Sequence, residues 1–156
     1  MNQLDLDAIK QRARAYSAPL WRSERSAASS DAVVNYTGMR GAEFADERND
    51  CSVRAIHMAT QLSYAEAHAL CAKHGRKRKR GMLYTSAARA AVEAGGRAVQ
   101  VRARTLGAFL QGEGARGVWM VTITGHFVAI VDGRCVSDSG LSRKGKRIAD
   151  AFRMPD

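Results

Sequence analysis

Two short stretches decide how this chain folds: Asn49-Asp50-Cys51-Ser52-Val53 and, far downstream, Gly125-His126-Phe127-Val128. The first predicts a helix that begins near Cys51, because Asn49 or Asp50 is a suitable N-cap. The second predicts a strand that begins at His126, after a glycine that lets another backbone or a substrate approach closely. A thiol at a helix start and an imidazole at a strand start are therefore the two features around which the rest of the sequence is interpreted.

Helices come first along the chain and strands second. A second helix follows from Ser63 and Glu66, which form a capping box, and a third begins at about Thr85. Asp132-Gly133 is a hairpin turn signal between two apolar runs. Strands are predicted at 118–124, 126–131, 135–137 and, as a last edge strand, 148–154. This order predicts an α+β fold in which N-terminal helices pack on a C-terminal antiparallel sheet.

Residues 1–30 are predicted to be a helical arm, separate from a single domain at 31–156. Pro19 and a run of small polar residues end the helical pattern of the arm. The arm either packs on the domain or binds a partner chain. Its apolar residues recur at helical spacing: Leu6, Ile9, Ala13 and Tyr16.

Composition limits the class of protein. With 156 residues and 46% hydrophobic residues, the chain can fold as one domain with its own core. Three cysteines, an odd number, do not make a disulfide framework and indicate a reducing compartment. No apolar run is long enough for a signal peptide or a membrane span. We therefore expect a cytoplasmic protein without a membrane partner, or one in the host cytoplasm or virion if a phage encodes it.

The residues around Cys51 fit a cysteine nucleophile site. The thiolate is the reactive form, and a helix N-terminus lowers the pKa of a thiol. His126 would pair with the thiolate, and a carboxylate would hold the other ring nitrogen. Asp138, after the hairpin return, is favoured for that role over Asp132, at the far end of the histidine's strand. Asp50 opposes the thiolate unless its carboxylate turns away to cap the helix.

Acyl transfer also needs donors for the oxyanion. The nearest candidates are the backbone N–H of Cys51 and the side-chain amide of Asn49. The alternative interpretation of Cys51 is a small buried apolar residue, which is a common role for a free cysteine.

No metal or cofactor is expected. A zinc site needs three or four convergent ligands, and Cys71 with His74 offers a single pair without a second pair at zinc-like spacing. Cys71 lies on the apolar stripe of its helix and Cys135 in a hairpin strand. Both are therefore predicted to be structural.

A run of five cations gives a second candidate site: Arg76, Lys77, Arg78, Lys79 and Arg80. Together with a net charge of +10, this run predicts attraction to an acidic protein or to a nucleic-acid backbone. Aromatic residues are not interleaved with the cations, so base stacking is not indicated. The alternative is a solvated loop with no ligand.

Asp50-Cys51 at a helix start, Gly125-His126 at a strand start and the later Asp138 resemble the papain-like cysteine peptidases. The likeness is closest to small bacterial and phage relatives of the bacteriocin-processing double-glycine peptidases, and it covers about residues 45–154. The resemblance implies a papain-like fold and a hydrolase that cleaves peptide or isopeptide bonds in a protein or peptide substrate. It also implies a glutamine six residues before the nucleophile, where this chain has Ala45.

Two further interpretations stay open. A papain-like module without activity could serve as a structural or binding protein in a phage particle or nucleoprotein assembly, as Ala45 and the net charge suggest. A transferase of the transglutaminase or arylamine acetyltransferase type would use the same three residues with a different acceptor.

Overall fold

The structure is a computed structural model that describes residues 40–137 and 143–155. The helices are α1 (Cys51–Ala59), α2 (Tyr64–Lys73), α3 (Tyr84–Glu93) and α4 (Leu106–Gln111). The strands are β1 (Arg97–Ala98), β2 (Val118–Ile123), β3 (His126–Val131), β4 (Arg134–Cys135) and β5 (Ile148–Arg153). None of these helices is long and apolar enough to cross a membrane. The predicted arm at 1–30 and the candidate residue Asp138 lie outside the described residues.

The five strands form one antiparallel sheet in the order β1-β5-β2-β3-β4. The predicted α+β class is therefore confirmed. The prediction that 148–154 is an edge strand is wrong, because β5 lies between β1 and β2. Its first half resembles an edge strand, since Ala149 and Asp150 are exposed, whereas Ala151 and Phe152 are buried. A local pattern of apolar and polar residues indicates how much of a strand is buried, but not how many other strands pair with it.

Both faces of the sheet are covered, which explains why β2 and β3 are buried along their whole length. Helices α1 and α3 pack against one face, and α2 packs on these two helices. Val53, Ile56 and Phe127 belong to the apolar cluster on this face. Helix α4 packs against the other face through Leu106 and Phe109. The sheet thus holds β3, and with it His126, against the helix that begins at Cys51.

Local sequence signals account for the boundaries that position these elements. The capping box is formed: Ser63 Oγ accepts from the Glu66 N–H at 3.2 Å, and the Glu66 carboxylate accepts from the Ser63 N–H at 2.8 Å. The turn between β3 and β4 has positive φ at both central residues, 46° at Asp132 and 79° at Gly133. Positive φ at both positions is typical of the tight hairpin turn that the sequence predicted.

Candidate active site

Cys51 and His126 meet where α1 packs on β3. Cys51 is the first residue of α1 and His126 is the first residue of β3. The His126 side chain and the backbone N–H of Phe127 lie beside the sulfur of Cys51, where both stabilise its thiolate form. His126 is buried, with 8% of its surface exposed, and Cys51 is half-buried. The structure therefore brings together the two residues that the sequence singled out first.

The surroundings of Cys51 favour its thiolate form. Burial raises the pKa of the thiol, but the hydrogen bond and charge of His126, the Phe127 N–H and the charge of Arg54 together lower the pKa below its usual value. Cys71 shows the opposite case, because burial raises the pKa of that thiol to about 12. Since the thiolate is the nucleophile, these two shifts favour the reactivity of Cys51 over that of Cys71.

The carboxylate of Asp50 is buried beside Cys51 without opposing it. It does not cap α1. Instead it accepts hydrogen bonds from Arg40 at 3.0 and 3.2 Å and from the Tyr64 hydroxyl at 2.8 Å, and it lies 3.2 Å from Nε of Arg54. Two guanidinium groups therefore balance this negative charge. The sequence offered the Asp50 side chain as a cap of α1, and that alternative is wrong, because Arg40, Arg54 and Tyr64 receive its carboxylate instead.

Tyr84 fixes the turn that leads into His126. Its hydroxyl donates to the carbonyl of Ile123 at 3.0 Å and accepts from the N–H of Gly125, which has a φ of 76°. Its ring lies edge-on to Phe127, with centroids 5.5 Å apart. Nothing in the sequence links Tyr84 to this turn, because the two lie on different elements and no local motif joins them. The contact between Tyr84 and this turn is visible only in the packing of α3 on the β2–β3 hairpin.

Of the two carboxylates considered as partners of His126, those of Asp138 and Asp132, the structure describes only that of Asp132. Asp138 lies outside the described residues, and its predicted role stays a prediction. The chain reaches Ser137 beside the first turn of α1, where Arg54 Nη1 donates to the Ser137 carbonyl at 3.4 Å. Asp132 follows the far end of β3 and accepts from the Gly117 N–H at 2.6 Å. At about 3.3 Å per residue it lies roughly 20 Å from His126, too far to orient the imidazole.

Asn49 lies just before the nucleophile in a left-handed backbone conformation, with a φ of 51°. Its amide nitrogen donates to the carbonyl of Lys79 at 3.3 Å. An amide nitrogen carries two donors, so the predicted oxyanion role requires the second one. Ala45, at the position where the resemblance implies glutamine, is exposed.

One of the five cations at 76–80, Arg76, is turned inward, and the other four are exposed. Arg76 is buried and its guanidinium lies 3.1 Å from the buried carboxylate of Glu47. The same nitrogen donates to the carbonyl of Arg48 at 3.2 Å. The prediction of a solvent-facing anion-binding residue is therefore wrong for Arg76, because the fold brings the distant Glu47 carboxylate against its guanidinium and the two are buried as an ion pair.

The remaining cations of the run divide into two groups. Arg78 and Lys79 pair with Asp46 at the surface, at 2.7 and 2.5 Å. Lys77 and Arg80 are exposed, and among the described residues their side chains have no ion pair. The run thus connects α2 to the segment before Cys51 and leaves two of its five charges, on Lys77 and Arg80, without an ion pair among the described residues.

The described residues contain no group of three or more His, Cys, Asp or Glu that could hold a metal ion. Comparison of the chain with family models, curated proteins and solved structures found no match. The function must therefore rest on the geometry and chemistry of the site itself.

Proposed function

We propose that this protein is a cysteine hydrolase of the papain-like type, which cleaves a peptide or isopeptide bond through an acyl-thioester. The single observation that carries the proposal is the Cys51 thiol at the start of α1, beside the His126 imidazole, which lowers its pKa. A cysteine kept only for packing would be expected to have the properties of Cys71, whose pKa is raised by burial. The contrast between the two thiols favours a nucleophile over a packing residue.

The chemistry uses the two residues in sequence. The Cys51 thiolate attacks the carbonyl carbon and forms a tetrahedral intermediate. The imidazolium of His126 then gives its proton to the leaving amine, the C–N bond breaks and an acyl-thioester remains on Cys51. His126, now neutral, takes a proton from water as the water attacks the thioester. The C–S bond breaks, the carboxylic acid product leaves, and the thiolate–imidazolium pair is restored.

The intermediate carries an oxyanion, and the start of α1 offers a donor for it. The first N–H groups of a helix have no partner within the helix, and the backbone N–H of Cys51 is one of them. The partial positive charge of the helix N-terminus acts in the same direction. Asn49 is proposed as the second donor, through the amide hydrogen that does not bond to Lys79.

The first test compares the reactivity of the cysteines with iodoacetamide at pH 6.5, read by mass spectrometry of tryptic peptides. We expect Cys51 to react at least about 10-fold faster than Cys71, because only Cys51 has a lowered pKa. His126→Gln should slow the labelling of Cys51 at least about 10-fold relative to the native protein, since burial of the thiol remains while the imidazole is lost. His74→Gln, which removes a histidine paired with Glu93 instead, is the matched control. Equal labelling of Cys51 and Cys71 in the native protein would contradict the proposal.

The second test separates a hydrolase from a reactive thiol. With p-nitrophenyl acetate, a hydrolase should release one burst of nitrophenol for each Cys51 and then turn over steadily, and Cys51→Ala should abolish both phases. A burst without turnover would reject the hydrolase and favour a module that has lost catalysis. Acetyl transfer to an added amine in preference to water would reject hydrolysis in favour of the transferase.

A further inference from the structure

A second feature lies on the same sheet, at the edge opposite β4. A cavity of about 1080 Å³ opens between residues 98–104 and residues 147–151. No aromatic side chain lines it, and three of its lining residues are arginines. No local motif in the sequence marks this region, because its charges are spread over two distant segments.

The cavity exists because the ladder beside β5 is interrupted. At one end the Val99 N–H donates to the Ala151 carbonyl at 2.9 Å, and at the other the Ile148 N–H donates to the Arg104 carbonyl at 3.0 Å. β1 itself pairs with β5 only at its two residues, Arg97 and Ala98. Between the two closed ends, the chain separates from β5 around Ala149.

A single carboxylate holds the separated segment away from β5. Glu113, just after α4, accepts hydrogen bonds from the backbone N–H groups of Arg102 and Ala103 at 2.7 and 2.9 Å. These two bonds lower the pKa of the Glu113 carboxyl, so it is ionised and a strong acceptor at neutral pH. The opening is therefore maintained by specific contacts, as a binding site requires.

The rim of the cavity is positive. Arg102, Arg104 and Arg147 are exposed. Among the described residues, the side chains of Arg104 and Arg147 have no ion pair or hydrogen bond, whereas Arg102 lies within electrostatic range of Glu113. The one acidic lining residue is Asp150, whose Oδ2 accepts from Thr122 Oγ1 at 3.4 Å. Two guanidinium groups thus remain to receive anions.

The cavity lies at the end of the sheet that carries His126. His126 pairs with Ile123, Ile123 pairs with Ile148, and Ile148 bonds to Arg104. At about 5 Å between neighbouring strands, the backbones of His126 and Arg104 are roughly 15 Å apart. An extended peptide covers that distance in about five residues.

We infer that this cavity is a subsite for an acidic segment of the polypeptide substrate, about five residues from the bond cleaved at Cys51. The inference rests on the proposed hydrolase function. Charge complementarity selects an anionic partner, and carboxylates suit guanidinium groups. A polypeptide is favoured over a nucleic acid because the interrupted ladder around Ala149 faces the cavity and no aromatic side chain is present for bases to stack on.

Binding is tested with fluorescein-labelled hexaglutamate and hexaglutamine, by anisotropy, on the Cys51→Ala protein. Hexaglutamate should bind and hexaglutamine should not. The double variant with Arg104→Gln and Arg147→Gln should bind hexaglutamate at least about 10-fold more weakly. The matched control, Lys77→Gln with Arg80→Gln, removes two charges that are equally exposed and unpaired, and should change binding less than about 2-fold. Equal losses of hexaglutamate affinity in the two double variants would overturn the inference. It would also be overturned if an oligothymidylate bound more tightly than hexaglutamate and its binding depended on the same two arginines.

Reactivity connects the cavity to the nucleophile. Chloroacetyl peptides are used, in which attack by the thiolate forms an S–C bond and releases chloride. A chloroacetyl peptide with a four-residue Gly-Ser spacer and three glutamates should label Cys51 at least about 10-fold faster than its glutamine counterpart, and Arg104→Gln with Arg147→Gln should remove the difference. Equal rates for both peptides on a reactive Cys51 would overturn the subsite alone. If Cys51 reacted no faster than Cys71 with any of these probes, the proposed hydrolase itself would fail.

Discussion

Two cationic regions of this protein differ in what their charges do. The run at 76–80 is the most conspicuous in the sequence, yet Arg76 is buried against Glu47, and Arg78 and Lys79 pair with Asp46. The arginines around the cavity are scattered in sequence, yet Arg104 and Arg147 stand exposed together. The difference teaches that a run of like charges indicates a ligand site only when the fold supplies no internal acidic partners.

The comparison predicts that removing Arg76 has the largest effect on stability. Arg76→Met leaves the Glu47 carboxylate buried without its guanidinium, and breaking a buried pair in this way costs about 3–5 kcal/mol. Lys77→Met, one residue away and exposed, should change the free energy of unfolding by less than about 0.5 kcal/mol. Urea denaturation measures both. Equal effects of the two substitutions would show that the burial of Arg76 has no energetic consequence.

The same ion pair predicts a loss of stability in acid. Burial alone would raise the pKa of Glu47, but Arg76, the Lys79 N–H and His68 lower it to about 2. A carboxyl whose pKa is lower in the folded than in the unfolded protein stabilises the fold at pH values above its unfolded pKa, which is near 4.5. This stabilisation disappears as the pH falls from 4.5 towards 2. The melting temperature should therefore drop by at least about 4 °C across that window. In Glu47→Gln the drop should be smaller, and an unchanged drop would assign the acid sensitivity to other groups.

The cavity should depend on Glu113 to a lesser degree. Glu113→Gln weakens the acceptor for two backbone N–H groups at the surface, and we expect it to destabilise the protein less than Arg76→Met does. Hydrogen exchange should become faster at the amides of Arg102 and Ala103. The control is Glu43→Gln, because the Glu43 carboxylate accepts no hydrogen bond among the described residues. Unchanged exchange at both amides would mean that Glu113 does not hold the segment.

The smallest effect is expected at the rim of the cavity. Arg104→Gln and Arg147→Gln should each change the free energy of unfolding by less than about 0.5 kcal/mol, because neither guanidinium has a partner to lose among the described residues. Thermal melts of the single variants measure this. A large destabilisation would remove the contrast with Arg76, since it would show that these arginines also support the fold.

The elements with local signals were predictable from the sequence. The capping box at Ser63 and Glu66 and the turn at Asp132-Gly133 each depend on residues within one turn of the chain. The helix start at Cys51 was predicted correctly, although the Asp50 side chain does not cap α1. The pairing of Cys51 with His126 was predictable as well, because two elements with matching chemistry stood in a sequence with few other candidates.

Features that depend on distant partners were not predictable. The position of β5 inside the sheet depends on its pairing with both β1 and β2. The burial of Arg76 depends on Glu47, and the support of the Gly125 turn depends on the Tyr84 hydroxyl. Each of these contacts joins residues that no short-range periodicity relates, so only the packed structure shows them.

The central position of β5 has a consequence for how the molecule is made on the ribosome. β1 and β2 do not pair with each other, and β5 joins them. Until residue 153 has left the exit tunnel, β1 has no neighbour in the sheet and one edge of β2 stays open. The β2–β3 hairpin and α1, which carry His126 and Cys51, have by then all been synthesised. The nascent chain can thus assemble its reactive pair before the cationic cavity beside β5 exists, so nucleophile and subsite are completed at different stages of synthesis.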